Sequence, residues 1–136
     1  MENLGEFFGT LTAISFVLAL LNYLSKWINK NWINKLSKEN KIRKYYLALM
    51  MFIIKNHRFF AFIALCSLLI HLYIQITFKW VSTTGLIAAG MMIITVLLGI
   101  SLFYFSKNKR GLLFKIHRLA VILLVIAVAA HLLIKL

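Results

Sequence analysis

The chain has 136 residues, 62% hydrophobic and 14% charged, and its 16 Lys and Arg residues face three acidic ones. Soluble domains average about 25% charged residues, so this composition indicates a membrane protein. The acids, Glu2, Glu6 and Glu39, are too few for paired-carboxylate hydrolysis, carboxylate-rich Mg²⁺ or Ca²⁺ sites or a Ser-His-Asp triad. Because Cys66 is the single cysteine, an internal disulfide and Cys-based zinc or iron–sulfur sites are excluded as well.

Four apolar segments approach the roughly 20 residues that a membrane-spanning helix needs. They cover residues 7–24, 59–78, 84–105 and 112–134. The first is not expected to be a cleaved signal peptide, because acids rather than basic residues precede it and no small-x-small site follows. The expected fold is all-α: a transmembrane antiparallel four-helix bundle, forming a single membrane domain over residues 1–136. The chain contains no proline, which favours uninterrupted helices.

The connection between the first two spans, residues 25–45, mixes lysines with apolar side chains. In the segment KWINKNWINKL, which begins at Lys26, apolar residues recur at roughly helical spacing. This pattern predicts an amphipathic helix on the inner leaflet, with its apolar side chains dipping into the bilayer. Residues 45–54 are apolar but too short to span, and we expect them to continue the second helix below the membrane surface.

The basic residues are distributed unevenly between the two sides of the predicted membrane. Nine lie between the first and second spans and five between the third span and Leu119, where the uninterrupted apolar part of the fourth span begins, against two, Lys79 and Lys135, on the other side. The positive-inside rule therefore predicts a cell-membrane protein with cytoplasmic basic loops and both termini outside. Basic stretches beside spans serve topology and contact lipid headgroups, so the expected partner is the lipid bilayer and no nucleic acid. The five basic residues that follow the third span are Lys107, Lys109, Arg110, Lys115 and Arg118.

All four histidines belong to one repeated pattern. His57 is followed fourteen residues later by His71, and His117 fourteen residues later by His131. Fourteen helical residues rise about 21 Å and turn about 40° short of four full turns, so each helix carries two imidazoles on one face. Spans two and four run in the same direction in the predicted topology. We therefore expect His57 and His117 at the inner level of the membrane, and His71 and His131 at the outer level.

Two facing imidazoles across a helical bundle match the axial ligands of a six-coordinate haem iron. The pattern predicts two haem b groups, with His57 and His117 binding the inner iron and the other pair binding the outer iron. Zinc fits less well, because two histidines per level leave a tetrahedral site half empty. An intramembrane histidine can also serve as a hydrogen-bonding residue between helices, which is the simpler interpretation of each one alone.

Gly85 and Gly99 on the third span are also fourteen residues apart. Because this span runs in the opposite direction, Gly85 should lie near the outer histidines and Gly99 near the inner ones, where a residue without Cβ lets a porphyrin approach the backbone. Small residues are also common at membrane helix contacts whatever they bind. Further small residues share the histidine faces or a similar face of the first span: Ala61, Ala64, Ser67, Ala120 and Ala127, and Gly9, Thr12, Ala13 and Ala19.

Each inner histidine is followed directly by an arginine, Arg58 or Arg118. Their guanidinium groups are candidates for charge-assisted hydrogen bonds to haem propionates. The alternative is that both anchor the helices at the inner interface of the membrane. Cys66, in the middle of a span, is expected to pack as a small apolar residue.

With His-x13-His on two helices, two His-Arg pairs and the Gly85/Gly99 pair, the sequence resembles the four-helix di-haem core of membrane b-type cytochromes. The nearest patterns are the haem-bearing bundle of the cytochrome bc complexes and the transmembrane domain of the ferric-reductase-like enzymes and NADPH oxidases. The resemblance covers all four spans and implies the same two histidine pairs as haem ligands. These residues hold neither the cytoplasmic flavin–nicotinamide domain of the oxidases nor the quinol-oxidation loop of the bc cytochromes.

The expected function is transmembrane electron transfer from a cytoplasmic or quinol donor to a small-molecule acceptor at the outer face. The candidates for this acceptor are superoxide, oxygen, ferric iron and a quinone. The alternatives are an oxidoreductase like the quinone-linked superoxide oxidases or the ferric reductases, and a haem anchor subunit of a larger redox complex. A haem-free protein whose histidines conduct protons or ions is a further alternative of a different class.

Overall fold

The computed structural model describes residues 2–105 and 111–135, without the side chains of Glu2 and Lys135. The predicted all-α class is confirmed, since four helices and no strand occur among these residues. The predicted basic residues Lys107, Lys109 and Arg110 lie outside the described ranges. In chain order the elements are α1 (Glu2–Asn31), a short 3₁₀ turn (Ile33–Lys35), α2 (Lys41–Phe78), α3 (Thr83–Phe105) and α4 (Leu112–Lys135).

All four helices are long and apolar enough to cross a membrane, and the chain is therefore a multi-pass membrane protein. Their outward apolar side chains are large and exposed: Phe62 is 63% accessible and Leu133 is 72% accessible. Such surfaces are costly in water, whereas a bilayer is as apolar as the side chains themselves. This apolar surface is therefore suited to contact the hydrocarbon chains of lipids.

The first two helices extend beyond the predicted spans on the side of their shared connection. α1 runs on to Asn31, and α2 begins at Lys41, so residues 45–54 continue the second helix as predicted. The predicted amphipathic segment from Lys26 is not a separate helix. Its first part is the end of α1, and its second part holds the 3₁₀ turn. No glycine or proline occurs between Gly9 and Gly85, so no residue with a strong helix-breaking tendency ends α1 at the predicted boundary.

Polar side chains cap the starts of α2 and α3. The backbone N–H of Ile42 donates to Asn40 Oδ1 at 2.8 Å, and the backbone N–H of Gly85 donates to Ser82 Oγ at 3.1 Å. Asparagine and serine are favoured at this position because their side chains satisfy an N–H that has no acceptor within the helix. Ser82 therefore fixes where α3 begins.

The chain divides into two compact units, residues 6–67 and residues 68–136 with 1–5. Within the first unit α1 and α2 are antiparallel, because Thr12, Ala19 and Ser25 contact α2 in reverse order along the chain. Their partners are Ser67, His57 and Tyr46. Within the second unit α3 and α4 are antiparallel too, since Gly85 lies against His131 and Gly99 against His117. Antiparallel neighbours are what the sequence predicts.

Candidate functional site

The half-buried imidazole of His57 is held by the backbone of α1. His57 Nδ1 lies 3.0 Å from the carbonyl oxygen of Ala19, which is buried. A carbonyl oxygen can only accept, so the proton of the neutral ring resides on Nδ1. The lone pair of His57 is then on Nε2, the nitrogen suited to bind a metal.

His71, fourteen residues further along α2, is held in the same way as His57. His71 Nδ1 lies 2.8 Å from the carbonyl oxygen of Gly5, so its lone pair is on Nε2 as well. Gly5 is buried, and a Cβ atom at this position would lie 3.3 Å from Ile74 Cγ2 on α2. The absence of a side chain at Gly5 is what lets this turn of α1 approach α2 closely enough for the hydrogen bond.

His131 is held at the first turn of α3 by two hydroxyl groups. Ser82 Oγ and Thr84 Oγ1 each lie 3.3 Å from His131 Nδ1. Gly85 borders the same ring, and a Cβ atom there would lie 3.1 Å from His131 Cε1. Gly85 thus lies directly beside His131, where a larger residue would overlap the imidazole.

The half-buried His117 lies against Gly99 of α3. A Cβ atom on Gly99 would lie 3.4 Å from His117 Cε1, which is an ordinary van der Waals separation. Gly85 and Gly99 thus each lie beside one histidine of the pair expected near them, His131 for Gly85 and His117 for Gly99. This arrangement follows from the antiparallel packing, since equal spacing on two antiparallel helices brings both pairs together at once.

A fourteen-residue spacing recurs on all four helices. On α1 the two residues whose carbonyl oxygens accept from histidines, Gly5 and Ala19, are fourteen residues apart, as are the histidines of α2, the histidines of α4, and Gly85 and Gly99 of α3. Sequence reasoning named Ala19 as a small residue but missed Gly5, Ser82 and Thr84. The spacing of Gly5 from Ala19 was a signal that could have found the first of these. No comparable signal marked the two hydroxyls.

The other predicted site residues have more ordinary surroundings. Arg58 and Arg118 are exposed, and the Arg118 guanidinium lies over the Phe114 ring at 5.2 Å. Cys66 is a half-buried free thiol. Of the small residues on the helix faces, Thr12, Ala19, Ala64, Ser67 and Ala120 are buried, and Gly9, Ala13, Ala61 and Ala127 are half-buried.

The four histidines suit a group that binds separate imidazoles rather than a cluster of three or more protein ligands. Within residues 2–105 and 111–135, no three His, Cys, Asp or Glu side chains cluster as they do around a bare metal ion. A haem iron needs two axial nitrogens, because the porphyrin supplies the other four. Three of the four imidazoles have an oxygen atom beside Nδ1, an arrangement that orients an axial ligand, so these residue types are compatible with a haem.

Comparisons with protein-family models, with curated proteins and with solved structures find no match to this chain. The fold defines a class, the multi-pass helical membrane proteins, and the site must be interpreted from its own geometry.

Proposed function

We propose that this chain is a di-haem b-type membrane cytochrome that carries electrons across the bilayer. Its donor would be a cytoplasmic reductant or a quinol, and its acceptor a small molecule at the outer face. His57 and His117 would bind the inner haem, and His71 and His131 the outer one. Each bound haem supplies a reversible one-electron couple of iron, while the protein supplies position, orientation and electrostatics.

The observation that carries the proposal is the way the histidine rings are held. His57 and His71 donate from Nδ1 to main-chain carbonyl oxygens, and His131 Nδ1 lies beside two hydroxyls. Histidines that bind metals almost always use the second ring nitrogen in this way, which fixes the tautomer and the ring plane. A histidine that merely fills space needs no such repeated arrangement at fourteen-residue spacing.

The positions of His71 and His131 within their unit support their assignment to one haem. His71 lies seven residues before α2 ends at Phe78, about 10 Å along the helix axis. His131 lies beside Ser82, in the short connection that follows Phe78. Both rings therefore belong to the same end of that unit, as a shared outer haem requires.

The orientation of the chain is part of the proposal. Fourteen basic residues lie in the two loops or at the adjoining helix ends, against two elsewhere, which favours cytoplasmic loops and outward termini. This orientation places His57 and His117 near a basic surface that attracts anionic electron donors. Single cysteines introduced at Asn34 and at Thr83 in a Cys66→Ala background test it. Only the Thr83 position should react with a membrane-impermeant maleimide added to intact cells.

The experiment that tests the cofactor is an optical spectrum of the purified chain with a pyridine haemochrome assay. We expect a low-spin b-type spectrum and two haems per chain. His71→Ala should reduce the stoichiometry to one, because one axial ligand of one haem is lost. Leu72→Ala, a neighbouring truncation on the same helix, is the matched control and should retain two. Protein that contains no haem after expression with adequate haem supply contradicts the proposal.

Electron transfer itself is tested in vesicles loaded with a reductant and diluted into buffer that contains ferricyanide. The reconstituted protein should make external ferricyanide reduction faster than in protein-free vesicles. Vesicles with His71→Ala should lose most of this rate, since a single haem would not span the hydrocarbon. Equal rates with and without the protein would contradict a transmembrane path.

A further inference from the structure

The three histidines with described Nδ1 partners are not held alike. His57 and His71 each face one main-chain carbonyl oxygen, at 3.0 and 2.8 Å. His131 faces two side-chain hydroxyls instead, both at the longer distance of 3.3 Å. A carbonyl oxygen is part of every helix and cannot be changed by mutation, whereas hydroxyl groups are contributed by particular residues.

The hydroxyls around His131 form a connected group with a consistent set of protons. Thr84 Oγ1 lies 3.4 Å from Ser82 Oγ, and Ser82 Oγ also accepts the Gly85 N–H at 3.1 Å. His131 Nδ1–H can donate to Thr84 Oγ1, and the Thr84 hydroxyl can donate in turn to Ser82. Each oxygen then accepts no more hydrogen bonds than its two lone pairs allow.

The location of this group adds an electrostatic effect. Ser82 caps α3, and Thr84 lies in its first turn. The N-terminus of a helix carries a partial positive charge that decays within about one turn. His131 therefore has a longer, weaker acceptor than the other two rings and lies at the positive end of a dipole. Both effects reduce the electron density that the ring can donate through Nε2.

We infer that Thr84, supported by Ser82, is a positioning residue for His131 that sets the redox potential of the outer haem. The inference rests on the proposed function and assigns the two hydroxyls a role in it. Neither residue touches the iron, since both act through the imidazole. A less electron-rich axial ligand stabilises the ferric state less, so weakening the Nδ1 hydrogen bond raises the potential.

Thr84→Val tests the inference, because it keeps the shape of the side chain and removes the hydroxyl that accepts from His131. We expect one of two potentials in a redox titration to rise while the other is unchanged. A tenfold change in the relative affinity of the site for the two iron states corresponds to about 59 mV for a one-electron couple. Thr84→Ser, which keeps the hydroxyl, should restore the original potential.

The matched control is Thr83→Val, the same substitution at the exposed preceding residue. It should leave both potentials unchanged, although it changes the first turn of α3 to the same degree. If Thr84→Val binds two haems and shifts neither potential, or if Thr83→Val shifts one equally, the inference is overturned while the di-haem proposal stands. If the wild-type chain binds no haem, the proposed function itself has failed.

Discussion

The Nδ1 atom of His71 lies 2.8 Å from the carbonyl oxygen of Gly5, a residue 66 positions earlier in the chain. This contact links the beginning of the first helix to the C-terminal part of the second. It also shows how the histidines are oriented, since the ring of one helix is held by the backbone of its neighbour.

Gly85 is expected to tolerate no side chain. A Cβ atom there would lie 2.9 Å from Ser82 Oγ and 3.1 Å from His131 Cε1, so Gly85→Ala must displace the serine, the imidazole or both. Overpacking of this kind costs roughly 1–3 kcal/mol. We expect a lower thermal unfolding temperature in detergent, and a changed spectrum or reduced occupancy of one haem.

Gly90→Ala is the control, because nothing lies within 4 Å of a Cβ atom at that exposed position of the same helix. It should be neutral or stabilise the helix by up to about 1 kcal/mol through helix propensity. Equal destabilisation by both substitutions would mean that the contact with His131 plays no part.

The space beside Gly99 is expected to accept a small side chain but not a large one. A Cβ atom would meet His117 Cε1 at 3.4 Å, so Gly99→Ala is expected to retain two haems and nearly unchanged stability. Gly99→Leu would place a branched side chain against the imidazole and the proposed porphyrin, and should lose one haem in the pyridine haemochrome assay. A Gly99→Leu variant with full haem content would argue against a porphyrin beside this glycine.

Tyr46 joins the ends of α1 and α2 that extend beyond the predicted spans. Its hydroxyl donates to the carbonyl oxygen of Ser25 at 2.8 Å. Tyr46→Phe should lower the free energy of unfolding by about 1 kcal/mol, the usual net value of such a bond. Thermal unfolding followed by circular dichroism measures this loss.

Tyr45→Phe provides the comparison, since Tyr45 is adjacent on the same helix and 75% exposed. Removing its hydroxyl should change stability by no more than about 0.5 kcal/mol. If the two variants unfold alike, the hydrogen bond from Tyr46 contributes nothing measurable.

Thr12 and Ser67 form a polar contact between α1 and α2. Thr12 Oγ1 lies 3.0 Å from Ser67 Oγ, and both side chains are buried. A double-mutant cycle with Thr12→Val and Ser67→Ala should give a coupling of about 0.6 kcal/mol, typical of hydrogen bonds between membrane helices. Additive effects of the two substitutions would show that each hydroxyl is satisfied within its own helix.

The four helices and the register of the histidines could be predicted from the amino-acid order. Hydropathy is a local property, so each sufficiently long apolar segment indicates a membrane-spanning helix without reference to the rest of the chain. The pairing of Gly85 with His131 was also predictable, because two spans joined by a short connection are antiparallel neighbours. The end of α1 was harder to predict, since no residue between Lys26 and Asn31 breaks the helix.

What the tertiary structure decided is which atoms hold the rings. Every residue carries a carbonyl group, so the sequence marks Gly5 and Ala19 only by their fourteen-residue spacing, and the packing of α1 against α2 decides that their oxygen atoms accept from the imidazoles. The hydroxyls of Ser82 and Thr84 acquired their role in the same way. Sequence determined where the imidazoles occur along each helix, and packing between helices determined the orientation of those imidazoles, because a hydrogen bond depends on distances of a few tenths of an ångström.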